Sequence, residues 1–251
     1  MFDKKIEFFA NEDYVSLKED YPIPSIINIP DWFKNLNHDF HKQTVKGCMP
    51  FLDSLTAGYI LKMPQDFYIE HNVKGLDKKN KENKGSLQVW SLHRNGSYSQ
   101  ENHINLNVVA ETHSTDQLKD SPLVDKNKKL PFPKVMNPWT IKTPPGYSCL
   151  FVPPLNNADD RFSIISGIVD TDSFKTEINF PLTINGDKYE SLKTTIKKGT
   201  PYVQVIPFKR DKWKMKIKSK TKKEIMKDRL SYHLDIFKTY KNKFWYKKSW
   251  K

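Results

Sequence analysis

The last nine residues, Lys243-Phe244-Trp245-Tyr246-Lys247-Lys248-Ser249-Trp250-Lys251, interleave cations with aromatic rings. That mixture can neutralise phosphates and stack on bases. It equally suits a membrane interface, an acidic protein surface, or a solubilising charge cap whose rings pack on the rest of the fold. Upstream, Lys212-Trp213-Lys214-Met215-Lys216-Ile217-Lys218 alternates basic and apolar residues, so a strand there presents one basic face. These stretches sit in a segment of unusual charge. From Lys209 to Lys251 there are 17 Lys and Arg against 4 Asp and Glu, which leaves 25 of each sign in the first 208 residues. The whole net charge of +13 therefore belongs to the C-terminal extension.

Other chemistry-bearing residues are sparse. Among seven histidines, His38 and His41 stand three apart, a helical-face spacing, and His103 and His113 share a strand face by parity. An iron oxygenase needs a His-x-Asp pair on a strand and a later histidine. The one such pair, His233-Leu234-Asp235, falls in a helical stretch with no histidine after it, so turn and surface histidines are expected. Cys48 and Cys149 are too few for a disulfide framework or a four-thiolate zinc site and read as small core residues in a reduced, cytoplasmic setting. Nine glycines leave little room for a phosphate-cradling loop.

The elements that must carry these residues are mostly strands. At 251 residues, 37% apolar and 13% aromatic, the chain is long and aromatic enough to bury a core despite a mean hydropathy of −0.70. No apolar run reaches the roughly 18 residues a membrane helix needs, and no apolar leader follows Met1. Residues 1–45 are punctuated by proline and read as an extended arm, with one short helix at Asp31-Trp32-Phe33-Lys34. Leu87–Leu92 and Ile104–Val109 follow the period of two of half-buried strands. Residues 74–84 and 115–134 read as loops. From Val135 to Phe208, short apolar runs alternate with turns such as Pro144-Pro145-Gly146 and Lys198-Gly199, where Gly199 supplies a permissive backbone. This pattern predicts an all-β barrel or sandwich. Lys222–Lys241 reads as the one long helix, with Met226, Leu230, Leu234 and Phe237 on one stripe.

Four ordered stretches carry a resemblance: Thr56-Ala57-Gly58-Tyr59-Ile60-Leu61; Thr143-Pro144-Pro145-Gly146-Tyr147-Ser148 running to Pro153-Pro154; Gly167-Ile168-Val169-Asp170-Thr171-Asp172; and Lys198-Gly199 through Gln204-Val205-Ile206. Together they resemble the motifs of the dUTP pyrophosphatase and dCTP deaminase superfamily over residues 56–208. The resemblance implies a dUTPase-like β-clip fold at 46–208 with an insertion at about 70–135, between an N-terminal arm and a basic extension at 209–251. It implies a homotrimer. It places Asp170 where the family holds its water-activating carboxylate, Gln204 where it contacts phosphate, and Phe174 one position beyond the aromatic that packs on the base. Gly199 and Tyr59 fall within the matching motifs.

The departures point away from catalysis. Ile60 replaces the first motif's aspartate, Pro154-Leu155 replaces the phosphate-binding Arg-Ser, and the glycine-rich C-terminal arm has no counterpart. A second resemblance, through Met49-Pro50-Phe51-Leu52-Asp53, Asn137-Pro138-Trp139 and Val205-Ile206-Pro207-Phe208, is to a family common in large tailed phages of marine bacteria. The expectation is thus a viral accessory or structural protein that uses the scaffold for binding, without cofactor. Its partner would be a nucleic acid or an acidic protein surface, engaged through Trp245, Lys247 and Lys248. The alternative is a pyrophosphatase-like hydrolase with Asp170 as base, Gln204 on phosphate and Mg2+ as cofactor.

Overall fold

Alternating burial along short strands produces the architecture, and the pattern is clearest in Phe67–Asn72, where every second residue is buried. The computed structural model describes residues 4–15, 17–39, 41–74, 85–91, 110–233 and 240–251. Within them run β1 (Glu7–Phe9), β2 (Ile23–Pro24), β3 (Tyr59–Lys62), β4 (Phe67–Asn72), β5 (Ser86–Ser91), β6 (Ala110–His113) and β7 (Phe132–Val135). They are followed by β8 (Thr140–Lys142), β9 (Tyr147–Val152), β10 (Phe162–Ile164), β11 (Gly167–Val169), β12 (Phe180–Ile184), β13 (Ser191–Ile196) and β14 (Pro201–Lys209). The helices are short: α1 (Glu12–Val15), α2 (Asp31–Lys34), α3 (Met49–Thr56), α4 (Pro122–Lys126) and α5 (Lys222–His233). The fold class is all-β.

Four antiparallel sheets enclose the core, ordered β11-β9-β14-β3-β2, β10-β12-β7-β6, β13-β4-β5 and β1-β8. Leu61, Phe67, Ile69, Val135, Ile141, Phe151, Leu182, Ile196, Val203 and Val205 meet between them. The long strand β14 is the spine of the five-stranded sheet, flanked by β9 and β3. Gly58 lets β3 begin there. Its φ is +68°, and a Cβ would lie 1.9 Å from the Val205 carbonyl oxygen, so backbone approaches backbone too closely for any side chain. Gly199, at φ +84°, turns the chain into β14 with open space around it.

Several elements depart from the sequence pattern. The proline-rich N-terminal segment is woven into the body rather than laid over it, since β1 pairs with β8 and β2 with β3. Phe8, Tyr14 and Tyr21 all present edges to Trp139, at centroid distances of 6.5, 5.4 and 6.0 Å. Long-range aromatic packing overrides local proline chemistry here. The loop expected at 115–134 holds α4 and the start of β7. Ser121 caps α4 by accepting from Leu123 N, and Asn127, fully buried, donates to the carbonyls of Leu130 and Pro131 while accepting from Ile184 N. Cys48 is exposed beside α3, not in the core; Cys149 is buried, and burial raises its thiol pKa to about 11. Met226 and Leu230 of α5 are exposed, so the described part of the expected stripe meets no core. Ile104–Val109, Leu234 and Phe237 lie outside the described residues.

His71 occupies a core position of β4 beside Phe67 and Ile69, with 0% exposure. Its Nε2 lies 3.3 Å from the Asn127 carbonyl, and burial outweighs that bond to hold its pKa below the usual imidazole value. The folded state therefore keeps it neutral while the unfolded chain takes up a proton below about pH 6.5. Stability present above that pH is lost as pH falls, at up to about 1.4 kcal/mol per pH unit. Urea melts at about pH 7 and about pH 5 should show this loss, and His71→Leu should remove that part of it. An identical pH dependence in the variant would refute the assignment.

Candidate functional site

All four motif stretches meet on the five-stranded sheet, in two polar clusters at different points along β14. The first is built around Gln204, whose residue is only 1% exposed. Its Oε1 accepts from Leu155 N at 2.8 Å, and its Nε2 donates to the carbonyls of Ser54 at 2.9 Å and Ala57 at 2.7 Å. The amide is thereby committed on both sides, and a phosphate contact would require one of these bonds to break. Ile60, the register partner of Gln204, is buried at 2% exposure, so an apolar residue suits the place where the family has its aspartate.

The second cluster surrounds Asp170. Ser148 Oγ donates to Asp170 Oδ1 at 2.6 Å, and Arg210 Nη1 lies 3.2 Å from the same oxygen. Arg210 also forks onto Asp172, with Nη1 2.9 Å from Oδ1 and Nη2 on Oδ2, while Gly146 N donates to Asp172 at 2.8 Å. The guanidinium, followed by that amide, pulls the Asp172 pKa down to about 2. Arg210 further donates to the Tyr147 carbonyl and the Ser148 hydroxyl. Phe174 closes the turn after Asp170 by donating from its backbone N to the Asp170 carbonyl, and the residue is 45% exposed.

Asp170 and Gln204 are not brought together within the chain. Ser148, which holds Asp170, pairs with Phe208, four residues along β14 from Gln204, or about 13 Å at strand rise. Among the described residues no group of three His, Cys, Asp or Glu side chains could hold a metal ion. Asp170 and Asp172 do not fit Mg2+ either, because Arg210 already places a cation between them. The two histidines near the N-terminus sit in a turn, with His38 Nδ1 accepting from Thr44 N at 2.9 Å.

The aromatic C-terminus returns to the sheet. Trp245 Nε1 donates to both carboxylate oxygens of Asp53 on α3, at 3.1 and 3.0 Å, and Lys248 Nζ reaches Asp53 at 2.6 Å. Trp250 packs edge-on against Tyr59 at 6.2 Å, and the Tyr59 hydroxyl donates to the Lys251 carbonyl at 3.2 Å. Burial, assisted by Cys149, raises the Tyr59 pKa. Lys247 is exposed and Gly199 faces open space. Among the described residues no helix is long and apolar enough to cross a membrane.

Arg210, Asp172, Ser148 and Asp53 were missed by sequence reasoning. One signal was available: only 4 of the 42 cationic residues are arginine, and two of these, Arg161 and Arg210, fork onto aspartates. A lysine-rich chain keeps arginine where a planar fork is needed. No family model, no curated protein and no solved structure matches this chain.

Gln204→Met keeps the side-chain volume but leaves Leu155 N and the Ser54 and Ala57 carbonyls without their partner. The expected cost is about 3 kcal/mol, read as a lower urea midpoint at unchanged slope. A midpoint equal to the parent's would show that the amide holds nothing.

Proposed function

We propose that this protein is a binding protein rather than a hydrolase, a viral accessory or structural component on a dUTPase-like β-clip scaffold that works as a homotrimer. The observation that carries this reading is the Arg210 bridge. It joins the Asp170 and Asp172 carboxylates to the 146–148 turn, at the point where the chain leaves the sheet. A general base needs a lone pair facing its water. Oδ1 of Asp170 already faces two donors, which leaves a base only Oδ2 of a side chain that is 59% exposed, and the bridge has the design of a structural lock. The committed amide of Gln204 and the Pro154-Leu155 pair, which offers neither cation nor hydroxyl, support the same reading. The binding element in this proposal is the basic extension, which carries the entire excess charge. The trimer rests on the family resemblance, and exposed Ile26, Ile27 and Trp32 offer apolar surface for subunit contact.

Oxyanion-type contacts of the kind missing at 154–155 are each worth about 3 kcal/mol, or roughly a hundredfold in rate. The expected result with dUTP or dCTP and Mg2+ is no turnover above background, unchanged in Asp170→Asn. Turnover that disappears in that variant would establish the hydrolase instead. Sedimentation equilibrium at micromolar concentration should return three times the 29.5 kDa chain mass, and a monomer there removes the trimer.

A further inference from the structure

The sequence singles out two basic stretches, at 212–218 and 243–251, and the structure treats them differently. In the second, Trp245 and Lys248 are engaged by Asp53 and Trp250 lies on Tyr59, so this stretch anchors the end of the chain to α3 and β3. In the first, Lys212, Lys214, Lys216 and Lys218 are all exposed, and none of them forms an ion pair with a described residue. Trp213 between them is 89% exposed. The lysines on either side are paired, Lys209 with Asp211 and Lys220 with Asp228, each at 2.7 Å. From Lys212 to His233 there are 9 Lys and Arg against 2 Asp and Glu.

We propose that Lys212–Lys218, continued by α5, is a binding site for single-stranded nucleic acid; this rests on reading the protein as a binding scaffold and names the partner. The argument begins with charge. Residues 1–208 balance to zero, so a second copy's body offers no net opposing charge to this segment, and a polyanion outside the chain is the better complement. Spacing comes next. Residues 210–221 form neither strand nor helix, and drawn out along a bound strand at about 3.3 Å per residue they would set the four lysines about 6.6 Å apart in a row. A row of that kind tracks a repeating phosphate backbone better than a scattered set of carboxylates. Trp213 supplies a ring on which any base can stack.

Lipid suits this segment less well. In a strand the lysines and the Trp213-Met215-Ile217 set point to opposite faces, so a surface that takes up the apolar face turns the charges away. The helix α5 presents Lys222, Lys223, Glu224, Lys227, Asp228 and Arg229 around its circumference, leaving no single apolar face for a headgroup boundary.

The test is fluorescence anisotropy of a labelled oligothymidylate of about 16 nucleotides with the full chain, across a salt series. Replacing Lys212, Lys214, Lys216 and Lys218 together by Ser should flatten the log-log salt slope by about 2.8, since each lost contact to a single strand removes about 0.7. That is roughly a fiftyfold smaller loss of affinity between about 50 and about 200 mM salt. Trp213→Ala should weaken binding roughly fivefold or more at every salt concentration and leave the slope unchanged. A control with Lys241, Lys243 and Lys247 changed to Ser should keep the parent's slope. All these side chains are exposed, so the variants are expected to melt like the parent. Flattening in the control but not in the quadruple variant would overturn the assignment to 212–218. No binding by the parent at low salt would overturn the inference itself, as would equal affinity for polyglutamate. Binding to phosphatidylserine vesicles without binding to the oligonucleotide would overturn it too, yet leave the binding-scaffold reading standing. Turnover of dUTP lost in Asp170→Asn would sink that reading whatever the oligonucleotide does.

Discussion

The buried amide of Gln204 is the interaction on which the central sheet depends. One side chain on the spine strand fixes the C-terminal end of α3, the approach to β3 and the turn after β9 by three hydrogen bonds. These segments lie up to 150 residues apart in sequence. Backbone groups at such junctions have no sheet partner, and leaving them dry and unpaired would cost more than the bonds themselves add. Gly58 works with it, because the chain can reach β14 at that point only without a side chain. The arrangement explains why a glutamine and a glycine stand where they do without any ligand.

A second junction uses charge in place of an amide. Arg210 is the first residue beyond β14, and it gathers the turn before β9 and the turn after β11 around one guanidinium. Arginine suits this role because its fork holds a carboxylate with two bonds at once, whereas a lysine would supply a single point charge. The two junctions sit at the middle and at the end of the spine strand. Between them they hold β3, β9, β11 and β14 as a unit without a metal-type cluster among the described residues.

Beyond Arg210 the character of the chain changes. The body buries aromatic and branched side chains and balances its charge, whereas residues 212–230 are exposed throughout and strongly cationic. The chain then returns, and Trp245, Lys248 and Trp250 fasten its end near the Gln204 junction. The basic segment is therefore tethered at both ends to one sheet. Tethering holds its charges near the body while leaving their solvation intact, which is the condition for a salt-sensitive contact with a polyanion.

The sequence by itself determined the all-β class, because period-two patterning and turn residues are local signals that need no partner. It also determined the segregation of charge, the short helix at Asp31–Lys34, the strand that carries Gln204 and the strand that ends just before Asp170. Tertiary structure decided what those two residues touch, because hydrogen-bond partners 22 and 49 residues distant leave no local trace. It decided that the proline-rich start is woven into the body, since Trp139 collects Phe8, Tyr14 and Tyr21 from a segment whose own chemistry only forbids regular structure. It also decided between two basic stretches of similar composition. Asp53 and Tyr59 stand where they can engage one of them, and the position of those half-buried partners, not the lysine count, separates an anchor from an exposed cationic arm.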